Sequence, residues 1–118
     1  MKILLADPDR DFLTSYGKIL EIDGHEVETA FDGTQVITKT AGSRFDLVLL
    51  NSDLPRIDSV RIVRHLNEEG VPAAVLSGDG KKIEERFKEE KVAAYLYFPF
   101  GPAEMRSLVR EAVKEETK

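Results

Sequence analysis

Six residues able to do chemistry sit where short apolar runs stop: Asp7, Asp9, Asn51, Asp53, Ser77 and Asp79. The runs are Ile3-Leu4-Leu5-Ala6, Leu47-Val48-Leu49-Leu50 and Ala73-Ala74-Val75-Leu76. Carboxylates are hard oxygen donors for divalent cations, and an ionised carboxylate oxygen can attack an electrophile to form a covalent intermediate. Asn51 cannot act as that nucleophile. Its carboxamide has no anionic oxygen, and its nitrogen lone pair is delocalised into the carbonyl. Ser77-Gly78-Asp79-Gly80-Lys81-Lys82 has the look of a phosphate-cradling loop but lacks the spacing of one, and it reads as a turn with a lysine-rich exit. His25 and His65 are far apart without metal-ligand spacing and read as surface histidines. The chain has no cysteine, which excludes disulfides and thiolate-held metals.

The composition sets the stage for these groups. A chain of 118 residues is long enough for one sizeable core and too short for two, so a single domain over 1–118 is expected. A net charge of −5 argues against direct nucleic-acid binding, which needs a basic face. No apolar run approaches the ~20 residues of a membrane span. Ile3-Leu4-Leu5-Ala6 is cut off by Asp7, too soon for a signal-peptide core, so a cytoplasmic location is expected.

Short apolar runs alternate with amphipathic stretches along the chain. Residues 2–6 form a first buried strand, and Asp9 caps a helix that runs to about Ile22, with Phe12, Leu13, Tyr16, Ile19 and Leu20 at helical spacing. Gly24 stops it. Residues 25–30 alternate Glu26 and Glu28 against Val27 and Thr29, the pattern of a charged edge strand. Asp32-Gly33 turns into a short helix ending near Gly42, followed by a strand over 47–51. A third helix covers about 58–69 and presents Ser59, Val60, Ile62, Val63 and Leu66. A strand follows over 73–77, then a highly charged helix over about 81–91 in which Glu84 and Lys88 fall at i,i+4. Residues 93–98 make the last strand. Gly101-Pro102 opens a final helix with Met105, Leu108, Val109, Ala112 and Val113 on one face.

Strand–helix units in succession require a parallel sheet covered on both faces, since parallel neighbours need crossovers. The most continuously apolar strands, ending at Ala6, Asn51 and Ser77, belong in its middle. The expected architecture is therefore a doubly wound α/β fold with a five-stranded, flavodoxin-like order 2-1-3-4-5. In such sheets function gathers at the carboxyl ends of the strands, where Asp7, Asn51 and Ser77 lie.

Asp46-Leu47-Val48-Leu49-Leu50-Asn51-Ser52-Asp53-Leu54-Pro55 resembles the phospho-acceptor strand of response-regulator receiver domains, the CheY-like superfamily, with Asn51 in place of the acceptor aspartate. Ala30-Phe31-Asp32-Gly33 resembles that family's second-strand exit, Pro55-Arg56-Ile57-Asp58 its Pro-Gly-Met-Asp loop, and Tyr95-Leu96-Tyr97-Phe98-Pro99-Phe100 its Tyr-x-x-Lys-Pro-Phe ending. The resemblance covers essentially the whole chain. It implies a phosphoryl-transfer site made of an acidic pair that holds Mg²⁺, an acceptor Asp, a Ser or Thr, and a Lys.

Matched one position at a time, that site is incomplete. Asp7 matches the first acid, but Pro8 falls where the metal-ligating second acid is expected. Asp9 could slide into that role or simply cap the helix. Phe98 replaces the lysine; its ring carries no charge and donates no hydrogen bond, and burying it would stabilise the core by roughly 1.5–3 kcal/mol. Asp53 falls where the family contributes mostly a backbone carbonyl, and its side chain is solvated, caps the loop, or serves with Asp7 as a weak cation ligand. Ser77 matches the switch hydroxyl, or only bonds its own loop. Tyr95 matches the switch aromatic, or is a half-buried amphipathic ring. The resemblance further implies a cis Phe98-Pro99 bond and a docking face made by the fourth helix, last strand and fifth helix, with Tyr95 and Tyr97 as anchors.

The expectation is a pseudo-receiver: a two-component signalling module that binds signalling proteins, with a second copy of itself as a further candidate partner, through that face, independently of phosphorylation. It is expected to be no enzyme and to need no cofactor or metal. Two alternatives stand beside it: a small-ligand sensor using the crevice around Asp7, Ser77 and Asp79, and a residual Mg²⁺-dependent phospho-acceptor through Asp53, with Asp7 and Asp9 as ligands.

Overall fold

A computed structural model describes the chain over residues 1–116, with side chains over 1–112. Five strands, β1 (Lys2–Ala6), β2 (Glu26–Ala30), β3 (Leu47–Asn51), β4 (Ala73–Ser77) and β5 (Ala94–Tyr97), alternate with α1 (Arg10–Ile22), α2 (Gly33–Gly42), α3 (Ser59–Glu68), α4 (Lys82–Arg86) and α5 (Pro102–Glu116). All strands pair in parallel in the order β2-β1-β3-β4-β5. This is the doubly wound arrangement the apolar pattern demands. The most continuously apolar strands, β1, β3 and β4, are central, and charged β2 is an edge. Val113 lies outside the described side chains.

Alternation along the central strands feeds two separate cores. Leu4, Ala6, Val48, Leu50 and Val75 pack with Val36, Ile62, Val63, Leu66, Ile83 and Phe87 on the side of α2, α3 and α4. Ile3, Leu5, Leu47, Leu49 and Leu76 meet Leu13, Leu20, Met105, Leu108 and Ala112 on the side of α1 and α5. Among the described residues, no helix is long and apolar enough to cross a membrane.

The expected cap at Asp9 forms, and Asp32 and Asp58, not read as caps from the sequence, act in the same way. The Asp9 carboxylate accepts from the amides of Asp11 and Phe12, Asp32 accepts from Gln35 N, and Asp58 from Val60 N. The fourth helix departs from expectation, since it ends at Arg86 rather than near Lys91. Ile83 and Phe87 are its buried anchors, and the run Lys88-Glu89-Glu90-Lys91 has no apolar residue to hold a further turn against the sheet. Arg64 instead binds Glu90 at 2.8 Å and Asn67 binds the Lys91 carbonyl at 3.1 Å, drawing that segment toward α3. The expected i,i+4 pair is absent too: Lys88 bonds Glu85, and Glu84 accepts from the Tyr97 hydroxyl.

The loop between β3 and α3 is seated on the start of α2. Gly33 N donates to Pro55 O at 3.0 Å. A Cβ on Gly33 would lie 2.7 Å from Ile57 Cβ, closer than real atoms approach, and a tight 3.2 Å from Ile57 N. Gly33→Ala should therefore cost about 1–3 kcal/mol through overpacking. Gly42→Ala, with nothing within 4 Å of its added Cβ, should be neutral or slightly stabilising in urea unfolding. Equal stability of the two variants would show that the seat is loose.

Candidate functional site

Parallel register carries Asp7, Asn51 and Ser77 to the same end of the sheet: Ala6 pairs with Leu50 and Asn51 with Leu76, so each chemical residue ends or directly follows its strand. Asp7 is buried at 3% exposure. Its Oδ2 accepts from Asn51 Nδ2 at 3.0 Å, and its Oδ1 accepts from Asp9 N at 2.8 Å. The other end of the Asn51 carboxamide is also engaged, Oδ1 accepting from Asp53 N at 2.7 Å. This circuit fixes the amide orientation, because an ionised carboxylate can only accept and a backbone N–H can only donate. Burial raises the Asp7 carboxyl above its ordinary pKa, against the opposing pull of the bonds from Asn51 and Asp9.

The side chains of the remaining predicted residues do not converge on this circuit. Asp9 is exposed and serves as the α1 cap. Pro8 is exposed and offers no donor or acceptor side chain. Asp53 projects outward, its side chain 66% exposed, and lies 3.7 Å from Arg86. Ser77 is fully buried, and its Oγ accepts from Asp79 N at 3.0 Å, bonding its own loop. Among the described residues, no group of three His, Cys, Asp or Glu side chains is placed to hold a metal. One buried carboxylate, an amide oxygen already taken by Asp53 N and a proline do not make a Mg²⁺ ligand set.

Phe98 packs into an aromatic cluster. Its ring lies 4.6 Å from Phe100 and 5.6 Å edge-on from Phe12, while Phe12 stacks on Tyr16 at 4.6 Å. Tyr16 also donates its hydroxyl to Phe100 O at 3.0 Å, tying α1 to the turn before α5. Each such aromatic pair adds roughly 0.5–1.5 kcal/mol beyond its burial. The Phe98-Pro99 bond is cis, as expected.

Sequence reasoning missed Arg86. From the end of α4 its guanidinium donates to Ser52 O at 3.1 Å and Asp58 Oδ1 at 3.0 Å, spanning the two ends of the β3–α3 loop. The same loop is held from the other side by Arg56, 3.2 Å from Asp32, and from beneath by Ser59 Oγ, which donates to Asn51 O at 3.1 Å. Arg56 adopts a left-handed backbone with φ 79°, where the resembled motif has glycine. The only sequence signal for Arg86 is an arginine in a lysine- and glutamate-rich stretch, which reads as a solvated helix face.

On the far edge of the sheet, Tyr95 and Tyr97 stack at 6.4 Å with an interplanar angle of 9°. Both are half-buried, and burial raises the pKa of each. For Tyr97 the hydrogen bond to Glu84 and the negative charge of that carboxylate add to burial, pushing the phenol up to about 12.

Residues 3–110 match the family model for the response regulator receiver domain. The chain is 31% identical over 117 residues to the transcriptional regulatory protein PrrA of Mycobacterium leprae, covering 96% of this chain and 50% of that protein. It is 32% identical over 124 residues to the response regulator MprA of Mycobacterium avium, covering 98% and 54%. The chain thus spans about half the length of the curated relatives it matches. In fold it resembles a CheY-like receiver domain protein from Methanospirillum hungatei, with TM-score 0.88, 25% identity and coverage of 98% and 95%. It also resembles the receiver domain of a Pseudomonas aeruginosa sensor histidine kinase, solved with magnesium in its active-site cleft, with TM-score 0.82, 25% identity and coverage of 94% and 96%.

The Tyr97 environment makes a pH prediction. A phenol whose folded pKa lies above its unfolded value of 10.0 contributes stability that is complete below pH 10.0 and lost as pH rises through about 12. Phenolate absorbance, read as the difference between the protein and its Tyr97→Phe variant, should report that high transition. Glu84→Gln should move it partway back toward the ordinary value, since burial, the largest cause, remains. An unshifted transition in the starting protein would mean that the ring is free in solution.

Proposed function

The chain belongs to the response regulator receiver domain family, and we propose that it acts there as a binding module whose state is not set by phosphorylation. The observation that carries this reading is the double engagement of the Asn51 carboxamide, to Asp7 at one end and Asp53 N at the other. A group without a nucleophilic oxygen closes the site where an acceptor aspartate would open it. Two further features support the same reading. Phe98 fills with an aromatic ring the position of a counter-charge, and Arg86 ties α4 to the β3–α3 loop through Ser52 O and the Asp58 carboxylate. The domain over 1–118 is then a pseudo-receiver, with no catalysis of its own and no bound cofactor.

In this reading the output surface is α4, β5 and α5, where the stacked tyrosines lie beside Glu84. Its partners are other signalling proteins in the cytoplasm, or a second copy of the chain, and neither nucleic acid nor membrane. The ligand-sensor alternative has less support, because Asp7, Asn51 and Ser77 are satisfied by one another and by local amides.

Incubation with acetyl phosphate and Mg²⁺ should leave the intact mass unchanged. Asn51→Asp alone should phosphorylate poorly, still lacking a ligand at Pro8 and a cation at Phe98. The triple variant Pro8→Asp, Asn51→Asp, Phe98→Lys should form an acid-labile adduct, with some loss of stability from the new buried charges. A stoichiometric adduct on the starting protein overturns the reading, and its location on Asp53 would favour residual phospho-acceptance. For the docking face, Tyr97→Ala should cost upward of about 1 kcal/mol in partner affinity with the fold intact. Unchanged affinity would move the interface elsewhere.

A further inference from the structure

At the opposite end of the sheet from Asn51, a cavity of about 620 Å³ lies between the end of α1, the approach to β2, and α5. We infer that this cavity is a binding site for a small carboxylate carrying an apolar body. Its size falls within the range of small-molecule sites, roughly 300–1,000 Å³. Its floor is apolar, formed by Leu20 and Val109, both buried, with the Met1 side chain beside them. Arg106 and Arg110 stand on its rim, one turn apart on α5, with half-buried His25 opposite.

Charge selects the ligand. The domain as a whole carries −5, yet among the described residues the lining holds two arginines against one acid, Asp23. That acid is already committed: its Oδ2 accepts from Arg106 Nε at 2.7 Å. The bond also orients the Arg106 fork, whose terminal nitrogens take no part in it. Arg110 is braced by Ser107, its NH2 donating to Ser107 Oγ at 3.1 Å. Three of the last four carbonyls of α1 are engaged, Ile19, Leu20 and Glu21 accepting from the amides of Asp23, His25 and Gly24. An anionic head can therefore meet guanidinium donors beside an acid, Asp23, that is already paired. Leu20 and Val109 are already covered, so the apolar surface a ligand can bury is that of the half-buried Met1 side chain and the arginine stems; this rewards an attached hydrocarbon and gives nothing to a bare ion.

The site lies at the amino ends of the strands and shares no residue with the Asp7–Asn51 circuit. It stands or falls independently of how the receiver end works. A ligand here would bridge α1 and α5.

Octanoate, acetate and 1-octanol, titrated against the isotope-labelled chain and followed by amide resonances, form the test. Octanoate should give saturable shifts at Leu20, His25 and Val109. Acetate lacks the apolar body and octanol the charge, and each should bind at least about tenfold more weakly. Arg110→Ala, at an exposed position, should weaken octanoate by about tenfold without changing the unfolding transition. The proposal is overturned by equal response to octanol or acetate, by shifts centred on Asp7 and Ser77 instead, by no saturable response, or by an Arg110→Ala variant that binds as before.

Discussion

The Asn51 carboxamide is a donor and an acceptor in one rigid plane, and the strand-end architecture depends on that duality. Its nitrogen end holds the buried Asp7 carboxylate, and its oxygen end holds the amide of Asp53. A carboxylate at the same position would face Asp7 with like charge at hydrogen-bond range, and would need a cation or a proton between them. The amide removes that need. A strand terminus that is electrostatically demanding in the presence of two acids becomes a satisfied junction between β1 and the loop after β3.

The loop beyond this junction is over-determined. Gly33 seats it, Arg56 and Arg86 flank it with ionic contacts, and Ser59 fastens its base to the Asn51 carbonyl. Individually the exposed ion pairs contribute little, about 0–1 kcal/mol each. Their importance lies in geometry, since Arg86 contacts both Ser52 O and the Asp58 side chain and so fixes the span between them. The left-handed Arg56 backbone, worth about 1–2 kcal/mol of local cost for an L-residue, persists because its surroundings leave no other path.

Much of this was legible in the residues, and the exceptions have physical causes. The strands could be placed because central parallel strands are apolar without interruption, a signal that survives without any partner information. The change at Asn51 and the ring at Phe98 could be read because they stand at strand ends, where one residue's chemistry decides the site. The length of α4 could not. Lysines and glutamates have high helix propensity, but a surface helix is held by its buried face, and only Ile83 and Phe87 supply one. Arg86 was invisible for a related reason: among 17 basic residues, nothing local distinguishes the one whose helix end faces the β3–α3 loop. Long-range polar contacts depend on tertiary geometry rather than on spacing along the chain.

The two cores on opposite faces of the sheet have a consequence for how such a chain can change over generations. Odd-numbered residues of β1 and β3 serve α1 and α5, while even-numbered ones serve the other three helices, and the two sets meet only through the backbone. Substitutions that share no packing partners combine almost additively. Drift on the α1–α5 side can therefore accumulate with little epistatic debt to the side that carries the β3–α3 loop. One face can be remodelled while the other remains under constraint, which gives a small domain two largely independent surfaces on which selection can act.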